Sequence, residues 1–160
     1  MGKKFTPAQA RIYDLVLRAQ KEAIALCKPG STIPSIHQRV CEILTDGMLS
    51  LGLLRGRAED LVEQGTYKRF YPHQTSHWLG LDVHDVGLYQ VGGDPRPLAP
   101  GMVLTIEPGF YVQPTDGDVP PEYRDIGIRI EDDILITANG CENLTASAPK
   151  EREELESLKK

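Results

Sequence analysis

Residues 126–137 read IGIRIEDDILIT. Ile126, Ile128 and Ile130 alternate with Gly127, Arg129 and Glu131, which describes a strand with one apolar face and one face free for solvent or chemistry. Residues 134–137 are expected to extend the same strand. Asn139-Gly140 then signals a turn, and the tail from Pro149, with only Leu155 and Leu158 to bury, reads as a charged helix. Upstream, residues 113–122 (QPTDGDVPPE) form a polar loop. Before it, Met102–Ile106 is a compact β-favouring run, broken by Pro108-Gly109 and continued by Phe110–Val112.

The first 65 residues have a different texture. Thr6 and Gln9 have capping-box spacing, and Pro7 holds the favoured first helical position. Ile12, Leu15, Val16, Ala19, Ala23 and Leu26 make one apolar stripe at helical spacing, ended by Pro29-Gly30. Ile36, Val40, Ile43, Leu44, Met48 and Leu51 make a second stripe, closed near Gly52, and a short third helix is expected from Arg57 to Glu63. All three are expected to lie against a sheet. Helices first and strands afterwards predict an α+β fold rather than alternating βαβ units. The expected organisation is one domain over residues 1–160: mainly helical over 1–65, mainly strands and site loops over 66–148, and a charged terminal helix over 149–160.

Composition narrows the function. The chain has 160 residues, 40% of them hydrophobic, enough for a folded core rather than a disordered chain. Its 18 Lys and Arg against 23 Asp and Glu give a net charge of −5 without basic clusters, which argues against a nucleic-acid surface. No apolar run approaches the roughly 18 residues of a membrane-spanning helix, and the N-terminus lacks the apolar stretch of a signal peptide. Cys27, Cys41 and Cys141 are odd in number and widely spaced, fitting reduced thiols and a cytoplasmic location.

Chemistry concentrates in three places. His73, His77 and His84 fall within twelve residues, HQTSHWLGLDVH, interleaved with Asp82 and small residues. Gly80 and the alternation after it suggest an extended or looped segment around a site. Glu107, in TIEPG, ends a buried strand and is pinned by Pro108 and Gly109. Arg129 and Glu131 lie on the polar face of the alternating strand. One imidazole with two carboxylates, His77, Glu107 and Glu131, suits Mn²⁺, Co²⁺, Fe²⁺ or Zn²⁺ in a hydrolase better than a structural zinc. A two-metal site of that kind generates a hydroxide at neutral pH. His73 and His84 are then free to hold substrate or move protons.

HQTSHWLGLDVHD, LAPGMVLTIEPGFYV, YRDIGIRIEDDILIT and ENLTA, in that order, resemble the C-terminal part of the pita-bread metallopeptidases, most closely their Xaa-Pro aminopeptidase (aminopeptidase P) branch. The helical opening FTPAQARIYDLVLRAQ is similar too, so the resemblance covers nearly the whole chain. It implies a partial pita-bread fold, with helices packed on a curved, mostly antiparallel sheet. It implies release of an N-terminal residue from peptides with proline second, through a metal-bound hydroxide on a dinuclear manganese site. By motif position it makes His77, Glu107 and Glu131 metal ligands. His73 and His84 become substrate contacts that stabilise the tetrahedral intermediate, and Arg129 the charge balance beside the bridging glutamate. Trp78, Leu79 and Tyr89 are placed near a proline pocket.

The family also uses two aspartates about eleven residues apart on paired strands, and no two aspartates of this sequence have that separation. The resemblance therefore implies the C-terminal portion of a catalytic domain. It also implies at most one weakly held ion, no activity alone, and self-association through an exposed sheet edge. The alternative is a non-catalytic peptide- or protein-binding pita-bread module, which has no reason to keep these five histidines and glutamates together.

Overall fold

The computed structural model describes residues 4–158. Helix α1 (Pro7–Ala25) starts with the expected capping box: the Thr6 side chain accepts from the Gln9 backbone, and the Gln9 side chain accepts from the Thr6 backbone. It ends earlier than expected. Leu26 is its C-cap and 37% exposed, so the buried stripe stops at Ala23. Helix α2 (Ile33–Ser50) repeats the device with Thr32 and Ser35. The two helices meet at Gly47, where a Cβ would fall 2.2 Å from the Leu15 Cδ2 atom; the close crossing requires the missing side chain. Helix α3 (Ala58–Glu63) packs on α2, and among the described residues α1 makes the main helix contacts with the strands.

Seven strands follow among the described residues. β1 (Gln90–Val91) and β2 (Asp94–Pro95) form a small hairpin that the sequence reading did not anticipate. β3 (Val103–Ile106), β6 (Asp132–Thr137) and β7 (Gly140–Asn143) form one antiparallel sheet, in the order β3-β6-β7. β4 (Gly109–Val112) pairs antiparallel with β5 (Ile126–Arg129). Helix α4 (Arg152–Leu158) has no buried residue. Residues 159 and 160 of the expected terminal helix lie outside the described residues. The α+β architecture holds, with antiparallel ladders throughout.

The expected continuous strand over 126–137 is two strands in two ladders. Ile106 faces Asp132 and Gly109 faces Arg129, so the ladders break at the same level, at Glu107-Pro108 on one side and Ile130-Glu131 on the other. The cause is local. Pro108 has no N–H to donate, and the Glu107 N–H turns away to the Thr75 carbonyl at 2.8 Å. Alternation survives the break, because Ile130, Asp132 and Ile134 are all buried. Asp132 is held inside by Gln20 Nε2 (2.6 Å), Thr145 Oγ1 (2.6 Å) and Lys150 Nζ (2.9 Å).

The histidine segment, expected to be extended or looped, is extended around His77 and bends after Leu79. It runs antiparallel to the free edge of β3: Thr105 N donates to His77 O (3.0 Å) and Leu79 N to Val103 O (3.1 Å), while Trp78 bridges to Leu104. Helix α2 supports it from behind. His37 Nδ1 lies 2.8 Å from Thr75 Oγ1, which also meets the Tyr71 hydroxyl at 2.7 Å, and His37 Nε2 faces Cys41 Sγ at 3.4 Å.

Burial, reinforced by the neighbouring His73 and Lys68, lowers the His37 pKa from 6.5 to about 4. The unfolded chain therefore binds a proton the folded chain refuses, so this histidine withdraws stability as pH falls through 6.5 towards 4. Unscreened, that is about 3 kcal/mol; residual solvent contact reduces it to about 2 kcal/mol. Urea unfolding at pH 7 and pH 4.5 should show the native chain losing about that much more than the His37→Gln variant. Equal losses would remove His37 as the cause.

Candidate metal centre

Three irregular points of backbone meet here: the segment along β3, the Glu107-Pro108 break and the Ile130-Glu131 break. They bring together a ligand atom each from His77, Glu107 and Glu131, all within 4.8 Å of one another. No other such group of three occurs among the described residues.

Neighbours orient the His77 ring. Its Nδ1 lies 2.9 Å from the Trp78 carbonyl, which can only accept, so Nδ1 donates there. Its Nε2 faces Glu107 Oε1 at 3.1 Å, a contact that needs a proton or a cation between the two atoms. Loss of solvent first, and the Glu107 charge second, push the Glu131 carboxyl above its usual range. An imidazole nitrogen oriented by a carbonyl, together with two carboxylates, forms an oxygen-rich donor set that fits a divalent ion.

The other expected residues surround this point. Arg129 Nη1 is 3.6 Å from Glu107 Oε2, with its side chain 53% exposed. His84 is exposed and stacks edge-on against His77, ring centroids 4.3 Å apart. His73 sits across the opening. Its Nδ1 lies 2.8 Å from the Gln74 carbonyl, and its Nε2 lies 2.8 Å from the Tyr111 hydroxyl. The chain passes close beneath this pair at Gly109, where a Cβ would lie 2.5 Å from the Tyr111 oxygen and 2.8 Å from His73 Nε2. His73, His77, His84, Tyr89, Glu107 and Arg129 line a cleft of ≈ 340 Å³. Trp78 and Leu79 do not: Trp78 is buried with its ring centroid 5.6 Å from that of Tyr89.

Two residues at this site escaped the sequence reading. Tyr111 lay in a run read only as apolar strand. Burial, opposed by Arg129, raises its hydroxyl above the usual range, so it stays a donor to His73. Thr105 read as an ordinary strand former, yet its hydroxyl contacts both His77 and Glu107. The signal available for each was its spacing from Glu107, an even number of residues away along an extended chain.

Comparison with known proteins identifies the family. The model of metallopeptidase family M24 matches residues 1–138. The chain is 52% identical over 156 residues to the Xaa-Pro aminopeptidase of Escherichia coli, covering 97% of this chain and 35% of that protein. It is 46% identical over 155 residues to the mitochondrial intermediate cleaving peptidase 55 of Arabidopsis thaliana, covering 97% of this chain and 29% of that one. Among solved structures, the Pseudomonas aeruginosa aminopeptidase PepP superimposes with a TM-score of 0.97 at 46% identity, covering 99% of this chain and 36% of that one. Escherichia coli aminopeptidase P with the inhibitor Pro-Leu gives a TM-score of 0.93 at 51% identity, again over 99% and 36%. The chain thus spans about a third of the length of the relatives it matches.

Proposed function

The chain belongs to metallopeptidase family M24, and from that premise we propose that it supplies the His77, Glu107 and Glu131 ligands of a metal-dependent Xaa-Pro aminopeptidase. The substrate is a peptide with proline second, the ion is manganese, and the location is cytoplasmic. The observation that supports this reading is the convergence of one ligand atom each from His77, Glu107 and Glu131 within 4.8 Å of one another.

A divalent ion held there supplies positive charge that polarises a peptide carbonyl and makes a water nucleophilic at neutral pH. The chain's own groups do the rest. Arg129 offsets part of the carboxylate charge without entering the donor set. His73, with Nδ1 anchored on the Gln74 carbonyl, has Nε2 free to exchange a proton with Tyr111 or with a peptide in the cleft. His84 stands over His77 at the cleft mouth, where it contacts the peptide and stabilises charge developing on its carbonyl oxygen. The outer edge of β5 has no strand partner among the described residues, which supports association through that edge.

Three donors are fewer than a two-ion centre needs. By themselves the 160 residues are expected to hold one ion weakly and to leave Xaa-Pro-Xaa peptides uncut in excess Mn²⁺. Joined behind the residues that precede the matched segment in the Escherichia coli relative, they are expected to cut Xaa-Pro-Xaa and leave Xaa-Ala-Xaa intact. Cleavage by the chain alone contradicts the ligand shortage. A folded, Mn²⁺-binding fusion with no cleavage contradicts the proposed activity.

A further inference from the structure

We infer that Thr105 is the positioning residue of this centre, its hydroxyl setting Glu107 Oε1 against His77 Nε2. The inference rests on the metal-site reading above and adds a residue to it.

The side chain is enclosed, with Thr105 only 1% exposed. In a regular antiparallel pair, two facing residues of a hydrogen-bonded rung exchange both backbone bonds. Thr105 and His77 keep only one of them, from Thr105 N to His77 O at 3.0 Å. The His77 N–H goes instead to Thr105 Oγ1 at 3.1 Å. Having accepted that proton, the hydroxyl turns its own towards Glu107 Oε1 at 3.2 Å. One donor and one acceptor on a single oxygen thus tie the backbone of one proposed ligand to the carboxylate of another.

Arg129 does not do this work. It is half exposed, 3.6 Å away, and on the opposite oxygen, Oε2. The Glu107 backbone is fixed separately through Thr75. Of the groups around Glu107, Thr105 is therefore the buried one that selects the carboxylate's rotation. Valine fills the same volume and keeps the strand-favouring branch, but leaves the His77 N–H unpaired and removes the hydroxyl donor from Glu107 Oε1. Serine keeps the hydroxyl.

The test is Mn²⁺ binding to the full chain, followed by the electron paramagnetic resonance of the free ion, for the unaltered chain, Thr105→Val, Thr105→Ser and Glu107→Gln. Amide exchange at His77 is read in parallel. Thr105→Val is expected to bind Mn²⁺ about 10- to 100-fold more weakly and to exchange the His77 amide faster. Thr105→Ser should stay within about threefold of the unaltered chain, with the amide still protected. Circular dichroism identifies unfolding; if valine unfolds the chain, Thr105→Ala is compared with serine instead.

Unchanged binding in the valine variant overturns the inference. So does a serine variant as weak as valine, which would place the effect in packing. A different result marks failure of the underlying reading: no Mn²⁺ bound by the unaltered chain, or binding that Glu107→Gln leaves untouched. Either of these removes the inference together with the metal site.

Discussion

The Glu107→Gln form of the fusion should cleave Xaa-Pro peptides about a thousandfold more slowly in kcat/KM, a loss of about 4 kcal/mol of transition-state stabilisation. Glutamine keeps the shape of the side chain and can still accept from the Thr105 hydroxyl. What it lacks is charge. Glu107 is the most enclosed carboxylate of the three-residue cluster, at 9% exposure, and the one nearest the His77 nitrogen. Its replacement leaves one imidazole and one exposed carboxylate for the ion. It also removes the neighbouring charge that, after burial, is the second cause holding the Glu131 carboxyl up, so Glu131 should ionise at lower pH in the variant. Steady-state kinetics over a Mn²⁺ series checks this; a loss under tenfold, or full recovery at high Mn²⁺, goes against Glu107 as a principal ligand.

Phe110→Ala should cost about 4 kcal/mol of folding stability. Phe110 is fully buried on β4, stacked on Phe70 with ring centroids 5.7 Å apart and planes 11° from parallel. Phe70 in turn anchors β4, accepting the Tyr111 N–H at its carbonyl (2.8 Å). Truncating the ring opens a cavity between the strand pair and the chain leading into the histidine segment, where a close-packed interior has nothing to fill it. The melting temperature should fall by about 10 °C, and His73–Tyr111, on the same stretch, should loosen with it. A change of less than about 1 kcal/mol in urea unfolding would mean the two rings do not carry this part of the core.

The sequence resolved these features unevenly, for physical reasons. The start of α1 was legible because capping is local: Thr6 and Gln9 complete their bonds within four residues, whereas the equivalent Thr32–Ser35 box of α2 went unread. The strand over residues 126–137 was legible in its sidedness but not in its partners. Ile130, Asp132 and Ile134 keep one buried face across the break, and alternation carries no information about which ladder each half joins. Both ladders share one register, which sets Glu131 opposite Glu107, and that pairing is something no window of sequence contains. Leu26 was misassigned to the α1 stripe because spacing alone cannot tell a last helical turn from a C-cap. The links from Thr105 and His37 to the histidine segment were invisible for a related reason: these partners stand 28 and 38 residues away.

The central claim is that His77, Glu107 and Glu131 together hold a divalent ion, and the most direct measurement is calorimetric titration of the 160-residue chain with Mn²⁺ at pH 7. The account predicts one ion per chain, bound weakly, and binding lost in each of His77→Ala, Glu107→Gln and Glu131→Gln while circular dichroism stays native. Absence of binding by the unaltered chain, or a stoichiometric site that survives all three substitutions, would contradict it.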